Sequence, residues 1–216
     1  MRHKAGGLIL DDEPLLAAPH IAVPDKLSTL PWHEARQYCL AASDQKERPS
    51  CAGYATAGYI EATNLAENYI AKQVDGDEIY DKAKELEGNT EWGTTLTLAI
   101  KAAQELGYLD KSLTARIIKT KREVQFALAK HRVVIAGFNI TEDWQSCDPK
   151  TGWISERSPV ATGGHAVILH WYEDRPEKDD YGIGGRNQWK DWGHYGDFRM
   201  RWDQFRQQFI YACVLE

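Results

Sequence analysis

Cys51, His165, Asn187 and Gln45 are the residues of this chain whose side chains suit acyl transfer at an activated thiol. A thiol becomes a nucleophile when its thiolate is stabilised, and the partial positive charge at a helix N-terminus does this. From Ser50 onward, Ala55, Tyr59, Ala62, Ala66 and Tyr69 recur at three- and four-residue spacing, which is one face of a helix, with Ser50 placed to cap it. The spacing therefore predicts that Cys51 opens a helix. His165 follows Gly163-Gly164 at the head of the apolar run Ala166-Val167-Ile168-Leu169, where an imidazole can take the thiol proton and return it to a leaving amine. Asn187 can hold the second ring nitrogen of such a histidine, and the Gln45 amide can donate to an oxyanion together with the Cys51 N–H. Taken singly, each has a plainer reading: a buried apolar cysteine, a core histidine, a turn asparagine beside Gly184-Gly185, a surface glutamine.

Taken together, the segments resemble the papain-like cysteine peptidases. Gln45 precedes Cys51 by six residues, Gly164-His165-Ala166-Val167 follows, and Asn187-Gln188-Trp189-Lys190-Asp191-Trp192-Gly193-His194-Tyr195-Gly196 comes last, in the family's order. His165 lies 114 residues after Cys51 and Asn187 lies 136 after it. The second separation falls within the ~130–150 residues usual in the family and the first slightly short of it. The resemblance covers about residues 40 to 205. It implies a nucleophile at Cys51, a base at His165, an orienting group at Asn187 and an oxyanion donor at Gln45. It also implies that Trp189 shields the histidine–asparagine bond from water. On the substrate side it points to Gly93, Gly164 and Trp189. At Gly93, in Glu91-Trp92-Gly93-Thr94, a missing side chain would let an extended peptide pair with the backbone.

The chain departs from the family at three places. Arg48-Pro49-Ser50-Cys51-Ala52 stands where Cys-Gly-Ser-Cys-Trp is common, so the disulfide partner before the nucleophile and the aromatic after it are both missing. Only 44 residues precede Gln45, so a long inhibitory propeptide is not expected, which leaves room for a short self-inhibitory segment. Gln188 replaces the serine after the asparagine.

These residues need elements to position them. Helical patterns cover about 78–86, 95–106 and 121–130, after which Val133–Phe138, Ala166–Trp171 and Phe198–Trp202 read as strands and Asp148–Gly152 as a turn. Helices first and strands second imply an α+β chain. The papain-like expectation is a helical half and a β-barrel-like half with the active-site cleft between them. The expected division is an extension over 1–29, a helical subdomain with the nucleophile over 30–121, and a β-rich subdomain with His165 and Asn187 over 122–216. Pro14, Pro19, Pro24 and Pro31 exclude a long helix from the extension, which is expected to be irregular or an edge strand, near the fold but dispensable for it.

The remaining composition narrows the function. A net charge of -6 disfavours a nucleic-acid partner, and Lys119-Thr120-Lys121-Arg122 reads as a solvated face. The apolar run Gly7-Leu8-Ile9-Leu10 stops at Asp11-Asp12-Glu13, too short for a signal peptide, and no stretch approaches the ~20 apolar residues of a membrane span. A soluble, cytoplasmic protein without membrane attachment is expected. Cys39, Cys51, Cys147 and Cys213 form no C-x-x-C pair, and His3, His20, His33, His131, His170 and His194 show no ligand spacing, so no metal or other cofactor is expected and the thiols are expected to be free. Gly182-Ile183-Gly184-Gly185 is not a dinucleotide fingerprint, because no helix follows it. The leading expectation is a peptidase acting on peptide or isopeptide bonds of a polypeptide substrate, with any protein inhibitor unknown. An acyl transferase or non-protein amidase would use the same machinery, and a non-catalytic binding module would keep only the fold.

Overall fold

The computed structural model describes residues 6–25, 30–155 and 160–216. In chain order its elements are α1 (Glu13–Leu16), β1 (Trp32–Glu34), α2 (Cys51–Asn68), α3 (Gly76–Glu87), α4 (Leu96–Glu105), β2 (Ala115–Ile118), α5 (Lys121–His131), β3 (Val134–Thr141), β4 (Ala161–Glu173), β5 (Gly182–Arg186), β6 (Asp197–Arg201), α6 (Trp202–Gln208) and β7 (Phe209–Leu215). The helical starts follow from local chemistry. Asp75 accepts from the N–H groups of Asp77 and Glu78, Thr95 from Leu98, and Thr120 forms a reciprocal capping box with Glu123. Ser50 holds the N-cap position of α2, yet its hydroxyl makes no capping bond. Its ψ of 16° is not the extended geometry from which a cap side chain reaches back over the first turn.

The strands form one antiparallel seven-stranded sheet in the order β2-β7-β3-β4-β5-β6, with β1 added along β4. Alternation along β3 and β4 separates two cores. Ile135, Ala166 and Ile168 face the helices α2 and α4, with Ala55, Ala99 and Leu96. Val134, Ala136, Phe138, Val167 and Leu169 face the opposite way, with Leu128, Trp144, Trp189, Trp202 and Phe205. The small residues of α2, among them Ala52, Ala55 and Ala62, are wholly buried, as a helix packed between layers requires.

Residues 6–25 are more than an extension. Leu8 and Leu15 are buried in the first core and Ile21 in the second. Ile21 N–H donates to the Ile117 carbonyl and Ile117 N–H to that of Pro19, so the segment pairs with the outer edge of β2. The Asp12 carboxylate, fully buried, accepts from Thr97 N–H (2.9 Å) and Thr97 Oγ1 (2.6 Å) in the first turn of α4. The segment therefore docks onto the fold through core residues near both of its ends. Residues 1–5 and 26–29 of the expected extension lie outside the described residues. All four cysteines are free thiols, and among the described residues no helix is long and apolar enough to cross a membrane.

Candidate active site

Cys51 is the first residue of α2, as its sequence position predicts, and it is fully buried. The N–H groups of Ala166, Ala52, Gly7 and Cys51 itself are turned toward the thiol, which places it beside the strand that carries His165. Strand alternation explains the junction. Ala166 lies in the first core with Cys51, while the neighbouring His165 turns its ring into the aromatic second core.

His165 Nε2 lies 2.8 Å from Asn187 Oδ1, and the same oxygen accepts the Gln188 N–H at 2.8 Å. An oxygen that already accepts a backbone N–H must accept from the imidazole as well, so Nε2 carries the proton and Nδ1 is the basic nitrogen of the neutral ring. Trp189 stacks on the ring at 4.8 Å and 29°, and Trp144 meets it edge-on at 5.8 Å and 80°. Trp189 is wholly buried against the ring. Trp144 was not singled out by the sequence motifs. It belongs to a short 3-10 turn, Glu142–Ser146, and its packing with Trp192 (5.9 Å, 7°) and Phe198 (4.9 Å), together with its Nε1–H bond to Gln208 Oε1 (2.7 Å), holds it at the ring.

Gln45 is buried in the loop leading to Cys51, where its Nε2 donates to the Arg48 carbonyl at 2.9 Å. That bond consumes one of the two amide hydrogens and fixes the amide orientation, because the opposite orientation would set two oxygens against each other. Asn187 and Gln45 are joined through the backbone: Gln45 N–H donates to the Gln188 carbonyl at 2.9 Å, and Asp44 bridges to Trp189.

Gly93 and Gly164, the glycines expected on the substrate side, adjoin the chain's own N-terminal segment. Thr94 N–H donates to the Gly7 carbonyl (3.0 Å), Ile9 N–H to the Thr94 carbonyl (3.0 Å), and Leu8 N–H to the Gly164 carbonyl (3.2 Å). Residues 7–9 thus lie extended between Thr94 and Gly164, bridged to Thr94 through Leu8, with the Gly7 N–H toward Cys51. The fit is tight on every side. A Cβ at Gly93 would come within 2.5 Å of the Gly7 carbonyl oxygen, one at Gly7 within 2.5 Å of the Pro49 oxygen, and one at Gly164 would run into the Leu8 oxygen. With the cleft covered, burial pushes the Cys51 thiol up to about 11, against the N–H groups that favour the thiolate.

Beneath the site runs a line of paired charges that the sequence did not single out. Asp197 Oδ1 accepts from Arg186 Nε (2.7 Å) and lies 3.4 Å from His170 Nε2, while Oδ2 pairs with Arg36 Nε (2.7 Å). His170 Nδ1 lies 3.5 Å from Glu34. Burial raises the Asp197 carboxyl, but His170 and Arg186 outweigh it and hold the group at about 2. Burial likewise lowers His170, and its two carboxylate partners outweigh it to leave the imidazole raised. A raised folded-state value means that His170 contributes stability in full below its unfolded value of 6.5, and that this contribution fades as pH rises through the folded value. The Asp197 contribution has the opposite sign and is lost only as pH falls toward about 2. The melting-temperature advantage of the wild type over His170→Gln is therefore expected to be larger at acid pH than at alkaline pH. Parallel melting profiles across that range would show His170 to be neutral in the fold.

No protein-family model and no curated relative matches the chain. Among solved structures it is similar to xylellain, a cysteine protease from Xylella fastidiosa, at 19% identity and a TM-score of 0.76 over 100% of this chain and 97% of the other. It is similar to procathepsin L 3 of the Tenebrio molitor larval midgut at 15% identity and a TM-score of 0.74, covering 99% and 75%. Procathepsin B S9 from Trypanosoma congolense matches at 12% identity and a TM-score of 0.72, covering 98% and 86%.

Proposed function

We propose, on the premise of the papain-like fold that this chain has, that it is a thiol peptidase held in a closed state by its own residues 6–10. The observation that carries the reading is the His165 Nε2–Asn187 Oδ1 bond of 2.8 Å beside a cysteine that opens a helix. With Nε2 protonated and held, Nδ1 takes the Cys51 proton. The thiolate then adds to the scissile carbonyl, and the oxyanion is met by the Cys51 N–H and the second amide hydrogen of Gln45. Collapse of that intermediate breaks the C–N bond as His165 gives its proton to the leaving amine. Water, deprotonated by the same imidazole, cleaves the thioester and restores the thiol.

The closed state accounts for a thiol at about 11 in a site built for a thiolate. Desolvation is the largest cause of that value, and residues 7–9 contribute to the cover. Lifting the segment would return water to the thiol and let the helix N-terminus and His165 lower it. Iodoacetamide labelling followed by peptide mapping tests the reading. Cys51 is expected to be alkylated ahead of Cys39, Cys147 and Cys213, which have no base in the same arrangement. Uniform labelling of all four, or none at Cys51 after the segment is displaced, would refute it.

A further inference from the structure

We propose that Arg186 is a positioning residue for the oxyanion side of the site, acting through the loop that carries Gln45; the inference rests on the peptidase reading above. Arg186 ends β5 and directly precedes Asn187, so its backbone belongs to the histidine side. Its side chain goes elsewhere. Nη1 donates to the carbonyls of Leu40 and, at 3.4 Å, Cys39, where the chain leaves the 3-10 turn Arg36–Tyr38 and enters the loop toward Gln45.

That loop has no helix or ladder of its own to hold it. At its far end Gln45 is tied to the Gln188 carbonyl and Asp44 to Trp189. At its near end the polar ties are Arg186 to Leu40 and Cys39, and Arg36, just before the loop, to Asp197. Asp197 accepts from both arginines, so one carboxylate fixes the guanidinium that holds the loop and the turn that starts it. Asp197 is fixed in turn by the backbone, since it pairs with Arg186 across β5 and β6 and Asn187 N–H donates to the Gly196 carbonyl at 2.8 Å. Gln45 and Asn187 are thereby set by one unit. A buried ion pair is a poor source of net stability compared with apolar packing, whereas a planar fork that bonds a carboxylate and carbonyls at once fixes geometry.

Lysine at this position keeps the charge near Asp197 but, as a point donor on a flexible stem, cannot reproduce the fork. Arg186→Lys is expected to lower kcat by roughly 10- to 100-fold, less than the ~10²–10³ for outright loss of an oxyanion donor. KM should stay within about twofold, because the substrate-side backbone is untouched. The rate and pH midpoint of Cys51 alkylation by iodoacetamide should stay at wild type, since that reaction needs the thiolate and no oxyanion hole. Arg186→Lys combined with Gln45→Ala should be no slower than Gln45→Ala alone. The measurements are made in the full-length chain and again with Gly7→Ala, where the cleft is expected to be open. If Arg186→Lys does not fold, the isosteric Asp197→Asn is expected to show the same pattern and decides the matter. Unchanged kcat, a parallel fall in alkylation, or full additivity with Gln45→Ala would overturn the proposal and leave the peptidase reading standing. Failure of Cys51 to label in the Gly7→Ala background would sink that reading, and the proposal with it.

Discussion

Alanine at Cys51 or at His165 is expected to remove nearly all turnover of a polypeptide substrate, and the double replacement is expected to be no worse than either single one. The thiol and its base act as one unit, because neither makes an activated nucleophile without the other, and effects within such a unit do not add. The other two positions should be graded below them. Gln45→Ala removes one donor aimed at the oxyanion and should lower kcat by roughly 10²–10³ with little change in KM. Asn187→Ala leaves the imidazole in place, still enclosed by Trp189 and Trp144, and removes the acceptor that fixes Nε2–H and takes the Gln188 N–H. It should cost less than His165→Ala. Steady-state kinetics on a general protein substrate checks the order. Full activity in Cys51→Ala would exclude the thiol mechanism and leave the fold as the only shared property.

Freeing the cleft should have an effect of opposite sign. Gly7 passes Pro49 so closely that a single methyl group would come within 2.5 Å of the Pro49 oxygen, a backbone atom that cannot rotate away. Overpacking of this kind typically costs ~1–3 kcal/mol, and each 1.4 kcal/mol is about a tenfold change in population. Gly7→Ala is therefore expected to raise both the rate of Cys51 alkylation and kcat/KM by roughly 10-fold or more. Deleting residues 1–7 should do the same, since it removes Gly7 from the thiol and leaves Leu8, Asp12 and Leu15 in the chain. The pH midpoint of alkylation should fall in both variants, because the largest cause of the raised thiol is burial. Equal alkylation rates and midpoints in wild type, Gly7→Ala and the deletion would mean that the segment lies in the cleft without closing it.

What could be read from the sequence about this site is what its chemistry writes locally. A cysteine at a periodic helix start, a histidine heading an apolar strand and an asparagine before a tryptophan-rich turn each carry their signal within a few residues, and α2, β4 and the β5–β6 turn bear them as expected. The helices α3, α4 and α5 were legible through helical patterning over about 78–86, 95–106 and 121–130, whereas the caps at Thr95 and Thr120 came only with the structure. β5 was not. Gly182-Ile183-Gly184-Gly185-Arg186 carries almost no apolar side chain, yet it is buried between β4 and β6, whose backbones lie too close for a Cβ at Gly184 or Gly185. Arg186 reaches Leu40 and Asp197, and Asp197 reaches Arg36 and His170, partners that lie outside the local sequence of each. The occupied cleft is the sharpest case. Gly7-Leu8-Ile9 makes no bond that local pattern could reveal, and its partners, Thr94 and Gly164, lie some 85 and 156 residues away. Residue types and their spacing carried the thiol reading. Only the packing of distant backbones decided that residues 7–9 lie between Thr94 and Gly164, since hydrogen bonds of that kind are specified by proximity in space and leave no mark in the sequence.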